Sequence, residues 1–131
     1  MNVRSVKCKT LLFFERFFLF LTKTEMSSSI QIIKDLKDHL RKNIGDNVHD
    51  IILFGSRASG SNKVDSDYDI LIVLREKPDW KLRRKISDYC YDIDLKYGII
   101  TDTHILADSE INTLRGKQPV YQDAILNGIH A

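Results

Sequence analysis

The sequence has few cysteines, little net charge and no apolar stretch long enough to cross a membrane. Its 131 residues contain two cysteines, Cys8 and Cys90, which are far apart and have no metal-type spacing to a histidine. We therefore expect two reduced thiols, as in a cytoplasmic protein. Twenty basic and eighteen acidic residues give a formal charge of +2, far short of the surplus with which charge alone would hold a nucleic-acid backbone.

One region is rich in basic residues. Lysines and arginines crowd residues 75–85, but Glu76 and Asp79 lie among them. This pattern is typical of a solvated helix face, and a nucleic-acid-binding patch is the alternative. We therefore predict a protein that does not act on nucleic acid.

The first 26 residues differ in character from the rest. Residues 11–21 read LLFFERFFLFL, but Glu15 and Arg16 interrupt the apolar run, which is shorter than the roughly 20 residues that a bilayer requires. No small-residue cleavage site follows, so a secretory signal fits poorly. Two interpretations stand: an extra amphipathic segment that packs on a partner, or upstream sequence, without fixed structure, preceding a start at Met26. We expect the second, with one domain over residues 27–131.

The remainder of the chain has regular hydrophobic patterns. Apolar residues at helical spacing predict a helix over about 30–43, capped by Ser29 and ended by Gly45. Short β-branched runs predict strands at 48–54, 68–74 and 99–106. Helices are predicted at 80–97, with Gly98 as its stop, and near 109–114 and 120–127. The order predicts an α/β (α+β) fold with a small mixed β-sheet of three to five strands and flanking helices.

The segment between the first two strands contains the residues with chemical potential. Gly55, Ser56 and the later Gly60 form a loop of small residues, whose amides and hydroxyls suit phosphate oxygens. Asp67 and Asp69 follow, one residue apart on an extended chain, so both point to the same side. Paired carboxylates repel each other unless a cation joins them, and oxygen ligands suit magnesium. Such residues also occur in ordinary turns and caps, so the combination carries the prediction.

Nucleotidyl transfer with two metal ions usually needs a third carboxylate. Asp102 is the best candidate because it lies mid-strand in an otherwise β-branched segment, where an unpaired carboxylate is costly. Asp94 is the competitor, although the helical pattern places it on a solvated surface. His104 shares the face of Asp102, where it either touches a metal or substrate or makes an ordinary hydrogen bond. Arg57 either reaches a phosphate or is a solvated charge.

Together, GSRASG, SDYDILIV and, more loosely, IITDTHIL resemble the motifs of the minimal nucleotidyltransferases of the DNA polymerase beta-like superfamily. The resemblance covers residues 29–131. It implies that Gly55 and Ser56 hold a nucleoside triphosphate, with the other candidates of the same loop beside them, and that three aspartates bind two magnesium ions, with Asp102 also a base. The added nucleotide-binding candidates are Arg57, Gly60 and Ser66, and the metal-binding and catalytic candidates are Asp67, Asp69 and Asp102.

The resemblance also suggests a biological setting. Stand-alone members are often encoded beside small helical HEPN-domain proteins, as toxin–antitoxin pairs. Two hypotheses follow: a magnesium-dependent enzyme that transfers AMP from ATP to a protein or a small hydroxyl acceptor, or a binding module that neutralises a HEPN-type partner by masking it. Self-association, the nucleotide base and the acceptor are left open.

Overall fold

The computed structural model describes residues 28–59 and 67–131, with Ser59 described by its backbone alone. Helix α1 covers residues 28–44. It is followed by single 3₁₀ turns at Gly45–Asn47 and later at Asp108–Glu110. The remaining elements are β1 Val48–Phe54, α2 Ser56–Ser59, β2 Tyr68–Leu74, α3 Trp80–Tyr97, β3 Thr101–Ala107, α4 Pro119–Asn127 and β4 Ile129–His130.

The described strands form one mixed sheet in the order β3-β2-β1-β4. Strand β1 pairs antiparallel with β2 and with β4, whereas β2 and β3 are parallel and are joined through α3. A parallel neighbour requires such a crossover, because a tight hairpin can join only antiparallel strands. The predicted fold class, a small mixed sheet with flanking helices, is confirmed.

One face of the sheet is covered by α1 and α3. Apolar side chains at helical spacing from both helices pack on alternate residues of β1 and β2, which point to this face because of the strand period of two. The fully buried members of this cluster include Ile33, Leu36, Leu40, Ile51, Leu53, Ile70, Ile72, Leu74 and Ile86. This larger core holds the strands in register.

The opposite face has a smaller core under α4. Its buried residues are Ile52, Phe54, Leu71, Val73, Leu106, Tyr121 and Ala124. Gly128, just after α4, lets the chain pass close to β1, since a Cβ there would collide with Ile52 and with the Ala124 carbonyl. A nine-residue helix covers only part of a four-stranded sheet, and the site described below lies on this less covered face.

The two ends of β2 differ in charge. Asp67 and Asp69 lie at its beginning, whereas the basic residues 75–85 follow its end and extend through the first turn of α3. A seven-residue strand spans about 20 Å. The basic cluster therefore lies at the far end of the sheet from the carboxylates and does not flank them.

Local signals predicted most element boundaries correctly. Strands β1 and β2 and helix α3 occupy the predicted residues, with Asp79 accepting a hydrogen bond from the Leu82 amide at the start of α3 and Gly98 at φ +63° ending it. The predicted helix near 109–114 is wrong: a 3₁₀ turn at Asp108–Glu110 and further turns occupy that stretch. The sequence patterns also missed α2 and β4.

None of the helices in the described part of the chain is long and apolar enough to cross a membrane. The predictions for residues 1–26, including Cys8 and a start at Met26, lie outside the described residues. Cys90 is a free, buried thiol in α3, and burial, with a smaller effect of the Asp94 charge, raises the pKa of this thiol to about 12.

Candidate active site

The site begins where β2 begins. Asp67 immediately precedes β2 and is exposed, Tyr68 is buried against the α1/α3 face, and Asp69 is half-buried on the other face. Alternation along an extended chain places the two carboxylates on the same side of the sheet. Two acidic side chains therefore lie on one side of the chain at the start of an otherwise apolar strand.

Asp102 lies on the neighbouring strand at the same level as Asp69. The two residues are register partners in the parallel β2/β3 pair, and adjacent strands are about 4.8 Å apart. The pKa of Asp69 is raised, first by burial, then by the negative charges of Asp102 and Asp67, with His104 opposing them. The three predicted carboxylates are therefore close enough for the charges of Asp67 and Asp102 to affect the pKa of Asp69.

Gly55 lies directly against the Asp69 carboxylate. Its φ of +73° belongs to the left-handed region that favours glycine. A Cβ on Gly55 would also collide with the Asp69 carboxyl group. The residue is therefore required twice, once for the turn out of β1 and once for the close approach of backbone to carboxylate. The start of the predicted bend, Gly55, is therefore in contact with Asp69, one member of the acidic pair.

Ser56 and Arg57 lie in α2, directly after this turn. The Arg57 guanidinium carbon is 4.4 Å from the centroid of the Tyr68 ring, a cation–π arrangement that holds the arginine against the residue between Asp67 and Asp69. The guanidinium therefore lies on the Tyr68 ring, and its contact with a phosphate stays a prediction. Gly60 and Ser66, the other predicted nucleotide-binding residues, lie outside the described residues.

Asp94, the competing third carboxylate, lies on α3. Its position differs from the predicted solvated surface, because the residue is half-buried and its Oδ1 atom is buried without a hydrogen bond from any described residue. It lies one helical turn from the buried Cys90, on the face of the sheet that α3 covers. Asp69 and Asp102 face the other side, so Asp94 is not part of their group.

The donor set suits a hard divalent cation. Carboxylate oxygens are the ligands that magnesium prefers, and the sheet register already places two of the three carrying residues side by side. Within residues 28–59 and 67–131, no three acidic, histidine or cysteine side chains are close enough together to form a metal site as they stand. The backbones of Asp69 and Asp102 are already adjacent. Rotation of the side chains alone would therefore bring their carboxylate oxygens together around a cation.

His104 and two aromatic rings complete this part of the sheet. The Nε2 atom of His104 is 3.7 Å from the Asp102 carboxylate, and its ring is 5.7 Å from that of Phe54 and 6.2 Å from that of Tyr121. The alternation of β3 predicted that His104 shares the face of Asp102. The contribution of Tyr121 was not predicted, because α4 reaches the site only through tertiary packing.

The model of the polymerase beta nucleotidyltransferase family matches residues 21–127. The chain belongs to this family. It is therefore a nucleotidyltransferase.

Two similar relatives are proteins of the archaeon Methanocaldococcus jannaschii. The protein named "Putative protein adenylyltransferase MJ0141" is 38% identical over 71 residues, which are 54% of this chain and 72% of that protein. A second protein of the same description, MJ1215, is 33% identical over 81 residues, which are 61% of this chain and 92% of the relative. These relatives share the domain rather than only its motifs.

A solved structure with a similar fold is a mutant of the toxin–antitoxin MntA-HpeT. The match has a TM-score of 0.49 and 22% sequence identity, and it covers 78% of this chain and 70% of the other.

Proposed function

We propose that this nucleotidyltransferase transfers AMP from ATP to a hydroxyl group of a protein acceptor, with magnesium held by Asp67, Asp69 and Asp102. The observation that carries the proposal is the placement of Asp69 opposite Asp102 in the β2/β3 register, with Gly55 against the Asp69 carboxylate. The names of the relatives support adenylyl transfer to protein.

The proposed reaction makes one bond and breaks one. The acceptor oxygen bonds to the α-phosphorus of ATP, the bond from this phosphorus to the oxygen bridging to the β-phosphorus breaks, and pyrophosphate leaves. The hydroxyl proton passes to the Asp102 carboxylate. Bound magnesium supplies charge neutralisation at the phosphate oxygens. Asp67, Asp69 and Asp102 position that charge, and the Gly55–Ser56 turn leaves room for the triphosphate because it carries no bulky side chain.

Labelled ATP gives the direct test. The protein is incubated with magnesium, the protein encoded by the neighbouring gene and ATP labelled at the α-phosphorus, and in parallel with ATP labelled at the γ-phosphorus. We expect the α-label alone to become attached to protein, with release of pyrophosphate. Asp67→Asn/Asp69→Asn should abolish the labelling, whereas Asp88→Asn, which changes an exposed aspartate on α3, should leave it intact. Transfer of the γ-label would contradict the proposal.

Binding without catalysis is the second candidate, and a feature of α3 favours it. Trp80, Tyr91 and Leu95 are large apolar side chains that are each at least 60% exposed, and their spacings of eleven and four place them along one side of the helix. Such an exposed stripe suits a protein partner. In this hypothesis the partner is a small HEPN-type toxin, which the module masks.

The same double variant separates the two candidates. If Asp67→Asn/Asp69→Asn still neutralises the partner fully, masking rather than nucleotide transfer is the function. If neutralisation is lost while the variant still binds the partner, the chemistry is required. Tyr91→Ser/Leu95→Ser should weaken binding of the partner, because it removes two residues of the exposed stripe. It leaves the three aspartates in place.

A further inference from the structure

His104 is a polar residue with apolar neighbours beside it and on the side away from Asp102. Its register partner on β2 is Leu71, and the next β3 residue on the same face is the buried Leu106. An aliphatic residue would continue the core at this position. The imidazole is instead partly exposed and lies between the rings of Phe54 and Tyr121, which restrict its orientation because both rings are buried.

The nitrogen of this restrained ring faces Asp102. The distance from Nε2 to the nearer carboxylate oxygen is 3.7 Å, an ion-pair distance that a small side-chain rotation shortens to a hydrogen bond. Asp102 itself is loosely held, since its side chain is 58% exposed on β3, which lies at the edge of the sheet. A carboxylate in that position has several accessible rotamers, and only some of them point towards Asp69.

We propose that His104 is a positioning residue that holds the Asp102 carboxylate towards Asp69, so that the three acidic groups can share a divalent cation. This inference rests on the proposed function. Groups that hydrogen-bond to metal-binding side chains orient them, and losing such a group typically weakens metal binding by about 10- to 100-fold. Phe54 and Tyr121 contribute indirectly, because they keep the imidazole in place.

Two substitutions separate the packing of the ring from its hydrogen bond. His104→Phe keeps a planar ring between Phe54 and Tyr121 but has no donor for Asp102. His104→Gln loses the ring but keeps a side-chain N–H. The probe is the manganese complex of α,β-methylene-ATP, an analogue that cannot release pyrophosphate, and its affinity is measured by calorimetry. The thermal midpoint of each variant is measured alongside, together with the affinity for the analogue in the presence of EDTA.

We expect His104→Phe to bind the manganese complex about 10- to 100-fold more weakly, with its thermal midpoint and its metal-free affinity for the analogue unchanged. His104→Gln should bind the complex more tightly than His104→Phe does, even if it is the less stable of the two. A matched control is His49→Phe, which removes a histidine that is 2.7 Å from the carboxylate of Asp108 at the other end of the sheet. It should leave the affinity for the complex unchanged.

Two outcomes overturn the inference: wild-type affinity in His104→Phe, or losses in both variants that follow their thermal midpoints. The failure of the proposed function has a different signature. If Asp67→Asn/Asp69→Asn binds the manganese complex as tightly as the wild type does, the acidic group is not a metal site, and the inference about His104 fails with it. If that double variant loses binding but His104→Phe does not, only the inference fails.

Discussion

Two carboxylates, Asp69 on β2 and Glu110 in the turn that follows β3, have opposite environments. Glu110 is 8% exposed and accepts a hydrogen bond from the Ala107 amide, with Arg115 and Lys77 at 3.8 and 3.7 Å. The amide hydrogen bond, and to a lesser extent these positive charges, lower the pKa of Glu110. The pKa of Asp69 is raised by burial and by two neighbouring aspartates.

The difference indicates what each group does. The fold stabilises the charge on Glu110, so this side chain contributes to stability where the chain leaves β3. The fold opposes the charge on Asp69, which is the arrangement expected when a ligand rather than the protein neutralises a carboxylate. A carboxyl group whose pKa is raised at the start of a strand is therefore a better indication of a functional site than its sequence motif alone.

The largest expected effect is on activity. Asp69→Asn removes one of the proposed magnesium ligands and should lower the rate of nucleotide transfer by roughly 100- to 1,000-fold or more. Because the folded state already disfavours the charged form of Asp69, the variant should be at least as stable as the wild type in urea denaturation. A variant that loses activity together with stability would show that Asp69, like Glu110, is a structural group.

Gly55→Ala should reduce both activity and stability. Alanine at φ +73° is strained, and its Cβ would collide with the Asp69 carboxylate, so we expect a loss of about 1–3 kcal/mol in the free energy of unfolding. Transfer activity should fall further than this loss explains, because Asp69 must move. The matched control is Gly45→Ala, which has φ +70° but nothing within 4 Å of its Cβ. It should lose stability and keep its activity per folded molecule.

Glu110→Ala should affect stability alone. The substitution leaves the Ala107 amide without its acceptor, which costs about 1–3 kcal/mol for a buried donor. A lowered carboxyl pKa contributes stability above the unfolded value near 4.5 and loses it as the pH falls through the lower folded value. The difference in urea midpoint between the wild type and Glu110→Ala should therefore be larger at pH 6 than at pH 3. Equal differences at the two pH values would contradict this prediction, because they would mean that Glu110→Ala destabilises the protein only through lost packing.

The sequence predicted the elements that carry their own start and stop signals. Helix α3 begins at the cap Asp79 and ends at Gly98 as predicted, because both signals act within one turn. Strand β4, only two residues long, has no local signal and forms because the edge of β1 offers it hydrogen-bonding partners. The predicted helix near 109–114 is absent: the Glu110 carboxylate accepts a hydrogen bond from the Ala107 amide, and the chain continues in turns.

The candidate site divides in the same way. Gly55, Asp67 and Asp69 were identifiable because they lie close together in a single motif. Asp102 could be proposed only as a mid-strand carboxylate, and its pairing with Asp69 depends on the β2/β3 register. The contact between His104 and Tyr121 could not be predicted, because it depends on where α4 packs across the sheet.

The smallest expected effect comes from a third carboxylate, Asp50, whose charge, like that of Glu110, has a positive partner. The His130 Nδ1 atom lies 2.5 Å from Asp50, and this hydrogen bond raises the pKa of His130. A raised histidine pKa contributes stability that is fully present below the unfolded value near 6.5 and is lost as the pH rises through the folded value. The wild type should therefore exceed His130→Gln in urea midpoint at pH 5.5 by more than at pH 8.5. A difference that instead grew with pH would mean that neutral His130 is the stabilising form and would contradict this prediction.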